Sequence, residues 1–412
     1  MARTALSIGR PDLAAQIATQ IIAANANDAG AHMVLAAAQF RTGDPQSARK
    51  TARLAFRLAD TRAQHFEAAY LTAEALVQSG QPSFAKLWLR RADLYAQSEV
   101  QSAILAKAYR SVAAQSPFAL TLALSAGPSN NVNGGSLHDS FTFSGISIPI
   151  TQALSGQTAG GSARLSYRLS SGAKFAQDLT FSMSHRSVWL SDAAKKLDPA
   201  ARRKDYTFNE IGLGHMARWS VADGKAIVRT GITVGRRWQG GRLLGDVQRL
   251  ELGAIRQFGP QYTAGLDLAV EAAQYPARPV ANAVQWTLTA SLGQTTTPAG
   301  QFAYRVGYRS VGSDAAGVVY RGAQIGADWH PPDWIGGLGL KISAGLEQRD
   351  YWKTSGFSPD LKMRASVTAE LKTLTTMGIV PTIEVAASRS KSDLVVRDTK
   401  DFGISFGFSS SF

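Results

Sequence analysis

The chain has 412 residues, a length that favours two domains over one, and its 44 Lys and Arg residues against 30 Asp and Glu residues give a formal net charge of +14. It has no cysteine, which excludes a disulfide framework, thiolate metal sites and acylation on cysteine. No run of basic residues and no nucleic-acid motif accompanies the positive charge, so we expect no nucleic-acid partner.

Residues 1–115 carry apolar positions at helical spacing and are rich in Ala, Leu, Gln and Arg. A Gly-x-Pro tripeptide begins at Gly9, Gly43 and Gly80, at intervals of 34 and 37 residues. Glycine can close one helix and proline can open the next. A helix–turn–helix period of this length predicts a tetratricopeptide-like repeat domain, with an ordinary alanine-rich bundle as the alternative. Because the first glycine comes so early, we expect an N-terminally truncated repeat, with a signal peptide upstream of Met1.

At Ser116 the apolar period changes to two, and residues 116–412 are predicted to form an antiparallel transmembrane β-barrel. About fourteen alternating segments follow, an even number typical of bacterial outer-membrane barrels. A soluble β-sandwich is the alternative. The predicted strands are 118–127, 158–169, 175–189, 205–219, 226–239, 245–258, 261–275, 281–293, 301–312, 318–329, 338–352, 360–373, 379–390 and 400–411.

Aromatic residues fall at the ends of these segments, where Trp and Tyr would meet the membrane–water interface. Trp286 is nearer mid-strand, and the chain ends in Phe412, as is typical of barrels inserted into the outer membrane. We therefore predict a bacterial outer-membrane protein with its helical domain in the periplasm and lipid around its barrel. One rim would hold Trp189, Tyr206, Trp238, Tyr275, Tyr351 and Trp352, and the other Trp219, Phe258, Tyr262, Trp329 and Trp334.

The polar positions that alternate with the apolar ones are predicted to line the lumen, because a charge facing lipid would cost about 2–4 kcal/mol. Two interpretations stay open: the charges pair across a packed interior, or a mostly basic wall keeps a conduit open or holds a plug. The predicted lumen-lining residues are Arg164, Arg168, Arg229, Arg237, Arg249, Glu251, Arg305, Arg309, Lys341, Glu347, Arg349, Lys362, Arg364, Glu370 and Glu384.

The longest connection between predicted strands covers residues 128–157 and begins with Pro128, Asn130, Asn131 and Asn133. Asn and Gly runs favour tight turns. The segment is either a long surface loop, one strand that the prediction misplaces, or a pore loop folded into or over the barrel.

Nothing in the sequence indicates catalysis. The histidines are isolated from one another, without metal-ligand spacing, and no nucleophile elbow or phosphate-binding loop occurs. We expect no enzyme activity, no catalytic or metal-binding residues, and no cofactor.

The Gly-x-Pro repeats, the barrel beginning at Phe118, the Pro128 to Asn133 segment and the terminal Phe412 together resemble the surface lipoprotein assembly modulator (Slam) family. The resemblance implies an outer-membrane translocator that delivers surface lipoproteins or secreted client proteins. It also implies that the helical repeats receive the client or a periplasmic chaperone, and that barrel-insertion machinery assembles the protein. The family supplies no catalytic residues to carry over.

Two other functions compete with this interpretation. An exopolysaccharide export barrel also joins periplasmic helical repeats to a barrel, and aromatic side chains along the lumen would favour it. A diffusion porin with an appended helical domain would show an inward loop and facing rows of charge. The client or solute, the resting state of the pore and the oligomeric state do not follow from the sequence.

Overall fold

The computed structural model describes residues 1–143, 146–332, 336–353, 359–375 and 378–411. The chain divides into two compact units, the first made chiefly of Met1–Ala119 and the second of Leu120–Thr375 and Val380–Ser411. Within the described ranges, seven α-helices precede a closed antiparallel barrel of fourteen strands. The predicted fold class, a helical region followed by an antiparallel barrel of about fourteen strands, is therefore confirmed.

The Gly-x-Pro tripeptides separate successive helices of the first unit. Gly9, Gly43 and Gly80 have φ values of 75°, 84° and 70°, in the left-handed region that glycine enters without steric cost. Each following proline is the first residue of a helix, where its missing N–H costs no hydrogen bond. The helices are α1 (Ala2–Ser7), α2 (Pro11–Ala24), α3 (Ala29–Arg41), α4 (Pro45–Leu58), α5 (Arg62–Gln78), α6 (Pro82–Asp93) and α7 (Glu99–Gln115).

Small side chains form much of the core of this unit. Ala14 and Ala18 of α2 are fully buried against Val34 and Ala38 of α3. Alanine at such contacts lets neighbouring helices approach closely. In the described part of the chain, none of the helices combines the length and the apolar content that crossing a bilayer requires.

The second unit is the barrel, in which neighbouring strands pair antiparallel around the ring. A two-stranded sheet, β2 with β3, and a short helix α8 (Asp192–Leu197) lie in connections between barrel strands. The strands are β1 (Phe118–Ser129), β2 (Ser140–Phe143), β3 (Ile146–Pro149), β4 (Gly156–Ser171), β5 (Phe175–Leu190), β6 (Phe208–Val221), β7 (Ala226–Gln239), β8 (Arg242–Phe258), β9 (Tyr262–Gln274), β10 (Ala283–Thr297), β11 (Gly300–Ser313), β12 (Tyr320–His330), β13 (Leu338–Asp350), β14 (Asp360–Leu371), β15 (Ile379–Lys391) and β16 (Thr399–Ser411).

One face of the barrel wall carries large apolar side chains that the protein itself leaves exposed. On β14 these are Leu361, Met363 and Val367, and every strand from β4 to β14 contributes others. A water-soluble protein rarely exposes so extensive an apolar surface. The same surface is favourable in contact with lipid chains, and a closed barrel leaves no unpaired strand edge in the bilayer.

The structure refines several of the predicted boundaries. The strand predicted from residue 205 begins at Phe208, because Arg203–Tyr206 form a 3-10 turn. The long first connection contains β2 and β3, which pair with each other and not with the barrel. Trp334 and Phe412, both used in the argument for a membrane protein, lie outside the described residues.

Candidate functional site

The charged positions singled out from the sequence alternate along their strands with most of the exposed apolar side chains. Successive side chains of a strand point to opposite faces of the sheet. On β14, Lys362 and Arg364 thus lie on the face opposite Leu361 and Met363. Arg164 of β4 is the register partner of Ser182, and Glu370 of β14 is that of Gly339.

Most of these charges form ion pairs with acidic residues of the same or nearby strands. The pairs are Arg168–Asp178 (3.8 Å), Arg229–Asp267 (2.7 Å), Arg237–Glu210 (3.0 Å), Arg237–Glu271 (3.1 Å), Arg249–Glu251 (2.7 Å), Arg249–Glu271 (3.8 Å), Arg305–Asp328 (2.7 Å), Lys341–Asp328 (3.9 Å), Arg309–Glu347 (3.3 Å) and Arg349–Glu347 (2.7 Å). The wall therefore carries a paired network of both signs.

Glycine on the intervening strand lets some pairs span three strands. Gly253 of β8 lies in register between Arg229 of β7 and Asp267 of β9. A Cβ atom on Gly253 would lie 2.1 Å from Asp267 Oδ1 and 2.7 Å from Arg229 Nε. Any larger side chain would therefore separate the two charges. Gly322 of β12 lies in register between Arg309 and Arg349, the two cations that share Glu347.

A cavity of about 710 Å³ is enclosed by residues from widely separated parts of the ring. Its wall includes Thr158 of β4, Thr289 of β10, Ser343 of β13 and Ser405 of β16, so the cavity lies inside the barrel. A smaller cavity of about 290 Å³ adjoins Arg229, Arg249, Glu251 and Arg309. The charged residues that line the larger cavity are Arg186, Arg305, Glu347, Lys362, Arg364, Glu384 and Asp401.

Several acidic partners in this network were not among the predicted lumen-lining residues. They were Asp178, Glu210, Asp267, Glu271 and Asp328. They lie on β5, β6, β9 and β12, for which no lumen-lining residue was predicted. Each alternates with exposed apolar side chains of its own strand, and that alternation was the signal that would have found it.

The asparagines that follow β1 tie the first connection to the last strand and to itself. The buried Asn131 donates through Nδ2 to the carbonyls of Gly135 (2.9 Å) and Lys400 (3.0 Å), and its Oδ1 accepts from the Gly135 amide (2.8 Å). Asn130 Oδ1 accepts from the Phe402 amide at 2.8 Å. The segment predicted as a pore-loop motif is thus fixed beside β16, and its Pro128 and Asn131 line the larger cavity.

Asn133 extends the same arrangement to the end of the connection. Its Nδ2 donates to the Gln152 carbonyl at 2.7 Å, and its Oδ1 accepts from the Leu154 amide at 2.8 Å. The two ends of the connection are therefore held together by side-chain to backbone hydrogen bonds.

Asp398, which immediately precedes β16, makes a further tether to the first connection. Its carboxylate accepts from His138 Nε2 at 3.0 Å and from the Arg389 guanidinium. Burial acts to raise the pKa of Asp398, but hydrogen bonds from Arg389 and His138 outweigh it and hold the pKa below its ordinary value. The neighbouring Ser136 donates to the Val395 carbonyl at 2.6 Å.

Among the described residues there is no group of three or more His, Asp or Glu side chains arranged to hold a metal ion. The candidate site is therefore the charged face of the barrel interior together with the tethered first connection, and what it offers a solute is charge and hydrogen bonds.

Neither a protein-family model nor a curated protein sequence matches the chain. Solved structures match part of the chain. A Pseudomonas putida F1 outer membrane channel is 12% identical, with 72% of this chain and 97% of that chain covered and a TM-score of 0.36. The outer membrane channel DcaP of Acinetobacter baumannii is 10% identical, with 72% and 96% covered and a TM-score of 0.41. An anion-selective porin from Comamonas acidovorans is 11% identical, with 72% and 98% covered and a TM-score of 0.34. The chain has the fold of an outer-membrane β-barrel with an N-terminal helical region.

Proposed function

We propose that this protein is an outer-membrane translocator that delivers surface lipoproteins or secreted client proteins, as its resemblance to the Slam family implies. The observation that carries the proposal is the combination, in one chain, of a closed barrel with a charged interior and a separate helical unit that carries a partly exposed aromatic cluster, its proposed recognition surface. In this proposal the helical unit is a tetratricopeptide-like receptor in the periplasm. It receives the client, alone or with a chaperone, and the barrel provides the passage.

The recognition surface is an aromatic cluster on α4, α5 and α6 and the turn after α6. Its members are Phe56, His65, Trp88 and Tyr95, with ring centroids 4.5–5.8 Å apart in the contacting pairs. Exposed Arg91 lies over Trp88 at 5.1 Å. Partly exposed rings beside a guanidinium offer apolar area and a charge together, the combination that most often anchors a polypeptide partner.

The experiment co-expresses candidate lipoprotein clients with the full chain and measures their surface exposure by protease treatment of intact cells. We expect exposure of the true client to fall when Trp88→Ala removes a ring of the aromatic cluster, or when Arg91→Ala removes the guanidinium that lies over it. Phe84→Ala is the matched control, because Phe84 is an exposed ring of α6 outside the cluster. Equal client exposure with and without the full chain would reject the proposal.

A diffusion porin is the second candidate, and the rows of paired charge on the inner face favour it. Reconstitution in planar bilayers distinguishes the two. Steady ion conductance with no effect on any client would support the porin, and client exposure that depends on the protein would support the translocator. We do not propose polysaccharide export, because the described residues that line the 710 Å³ cavity include no aromatic side chain.

A further inference from the structure

Four cationic side chains converge on the inner face where β11 to β14 meet. They surround Glu347, whose side chain is only 9% exposed. Glu347 accepts from Arg309 at 3.3 Å and from Arg349 at 2.7 Å. Lys362 is the cross-strand partner of Glu347, and Arg364 follows two residues later on the same face of β14. We call Arg309, Arg349, Lys362 and Arg364 the basic cluster.

Carboxylates do not balance the basic cluster. Both oxygens of Glu347 are taken up by Arg309 and Arg349. The second nearby carboxylate is that of the buried Asp360, the cross-strand partner of Arg349. Four positive charges thus face two negative ones, a local surplus of two, and unpaired charge in a confined site attracts counter-ions strongly.

Two further observations indicate unused donor capacity. The Nε atoms of Arg309 and Arg349 are buried and have no hydrogen-bond partner among the described residues. Lys362 and Arg364 both line the 710 Å³ cavity, and in the described part of the chain neither makes an ion pair within 4.0 Å. Two other acidic residues line the cavity. Glu384 is the cross-strand partner of Thr368, four residues along β14 from Arg364, and Asp401 accepts a hydrogen bond from the Ser129 hydroxyl; neither makes an ion pair with Lys362 or Arg364 among the described residues.

We propose that the basic cluster is a binding site for small oxyanions that carry two or more phosphate or carboxylate groups. Guanidinium and ammonium groups donate charge-assisted hydrogen bonds to such oxygens, and two anionic groups would offset the surplus of two positive charges. The cavity gives the anion room beside Lys362 and Arg364. The site does not depend on the translocator proposal, since it is built into the wall whatever passes along the barrel.

The test measures binding of pyrophosphate and of citrate to the purified full chain in lipid nanodiscs by isothermal titration calorimetry. We expect binding that weakens with salt, and a loss of about tenfold or more in affinity when Lys362→Gln and Arg364→Gln are combined. Arg164→Gln is the matched control, because it removes one inner-face charge on β4, four strands around the ring from β14, and Arg164 is not among the residues that line the 710 Å³ cavity. Circular dichroism in the β region shows whether each variant still forms the barrel.

Failure of the unchanged protein to bind either anion, or equal weakening by Arg164→Gln, would overturn the proposal. Binding of an acidic peptide without binding of pyrophosphate or citrate would also overturn it. Comparison of pyrophosphate with citrate tells whether phosphate or carboxylate is the preferred group. The client-exposure assay is a separate measurement, so failure of one proposal is distinguishable from failure of the other.

Discussion

Replacing Asn131 with alanine should loosen the first connection of the barrel. The side chain makes three hydrogen bonds, at 2.8, 2.9 and 3.0 Å, to backbone groups of Gly135 and Lys400. Each buried bond contributes about 1 kcal/mol net. The Gly135 amide keeps a second acceptor, Asn133 Oδ1 at 3.2 Å, so part of the loss is recovered. We therefore expect Asn131→Ala to cost about 2–3 kcal/mol of local stability.

Hydrogen–deuterium exchange of the amides between residues 132 and 136 measures this local stability. A cost of about 2–3 kcal/mol corresponds to exchange faster by about 30- to 150-fold, since about 1.4 kcal/mol is a factor of ten. Ser140→Ala is the matched control in the same connection, because within the described residues the Ser140 hydroxyl donates only to the adjacent Asp139. If the two variants exchange at the same rate, the asparagine does not hold the connection, and the reasoning fails.

Three further predictions concern pH and close packing. Burial raises the pKa of Glu74 in α5, so ionised Glu74 disfavours folding above its unfolded pKa. Glu74→Gln should therefore leave the stability of the helical unit unchanged in acid and increase it at pH 7. If the variant and the unchanged protein differ in helical melting temperature by the same amount at both pH values, the prediction is contradicted. The pKa of Asp398 is lowered in the folded protein, so ionised Asp398 stabilises the contact with the first connection above the unfolded pKa, and this contribution is lost as pH falls through the folded pKa. Asp398→Asn should therefore speed hydrogen–deuterium exchange in the first connection at pH 7 but not below the folded pKa. A difference in exchange rate that persists in acid would count against this prediction. Gly253→Ala should lower the free energy of unfolding in urea by under about 1 kcal/mol, since it separates a half-exposed ion pair. Gly127→Ala should lower it by about 1–3 kcal/mol, because the new Cβ would lie 1.8 Å from the Ile404 carbonyl oxygen. A larger loss for Gly253→Ala than for Gly127→Ala would refute the packing argument.

The barrel was predictable from sequence because a wall with lipid on one side and water on the other imposes a period of two on every strand. The helix boundaries at Gly9, Gly43 and Gly80 were also predictable from the nearby sequence, because the conformation of the glycine and the ring of the following proline act within a few residues. The number of strands and these helix boundaries therefore follow from patterns that a single sequence displays.

The side-chain contacts of the site could not be predicted from these patterns, because they depend on how strands far apart in the chain align with one another. Asn131 meets the backbone of Lys400, which is 269 residues away along the chain. Arg229 pairs with Asp267 only because Gly253 is aligned between them, and one step of register would replace that glycine with a side chain. Sequence periodicity thus assigns a residue to a face, but the strand pairing decides its partner.

Charges on the inner face of the barrel are paired in one region and in surplus in another. The paired region bears on the translocator proposal and the surplus on the anion-binding proposal. From β6 to β9, Arg229, Arg237 and Arg249 pair with Asp267, Glu210, Glu271 and Glu251, so the wall there is close to neutral. At β13 and β14 the acidic groups are outnumbered, and Lys362 and Arg364 face the cavity. A neutral wall lets a chain of mixed charge pass without being held, whereas a surplus retains anions. If the Lys362 and Arg364 double variant loses anion binding and client exposure together, the two processes share one path through the basic cluster; loss of anion binding alone would assign the cluster to small solutes.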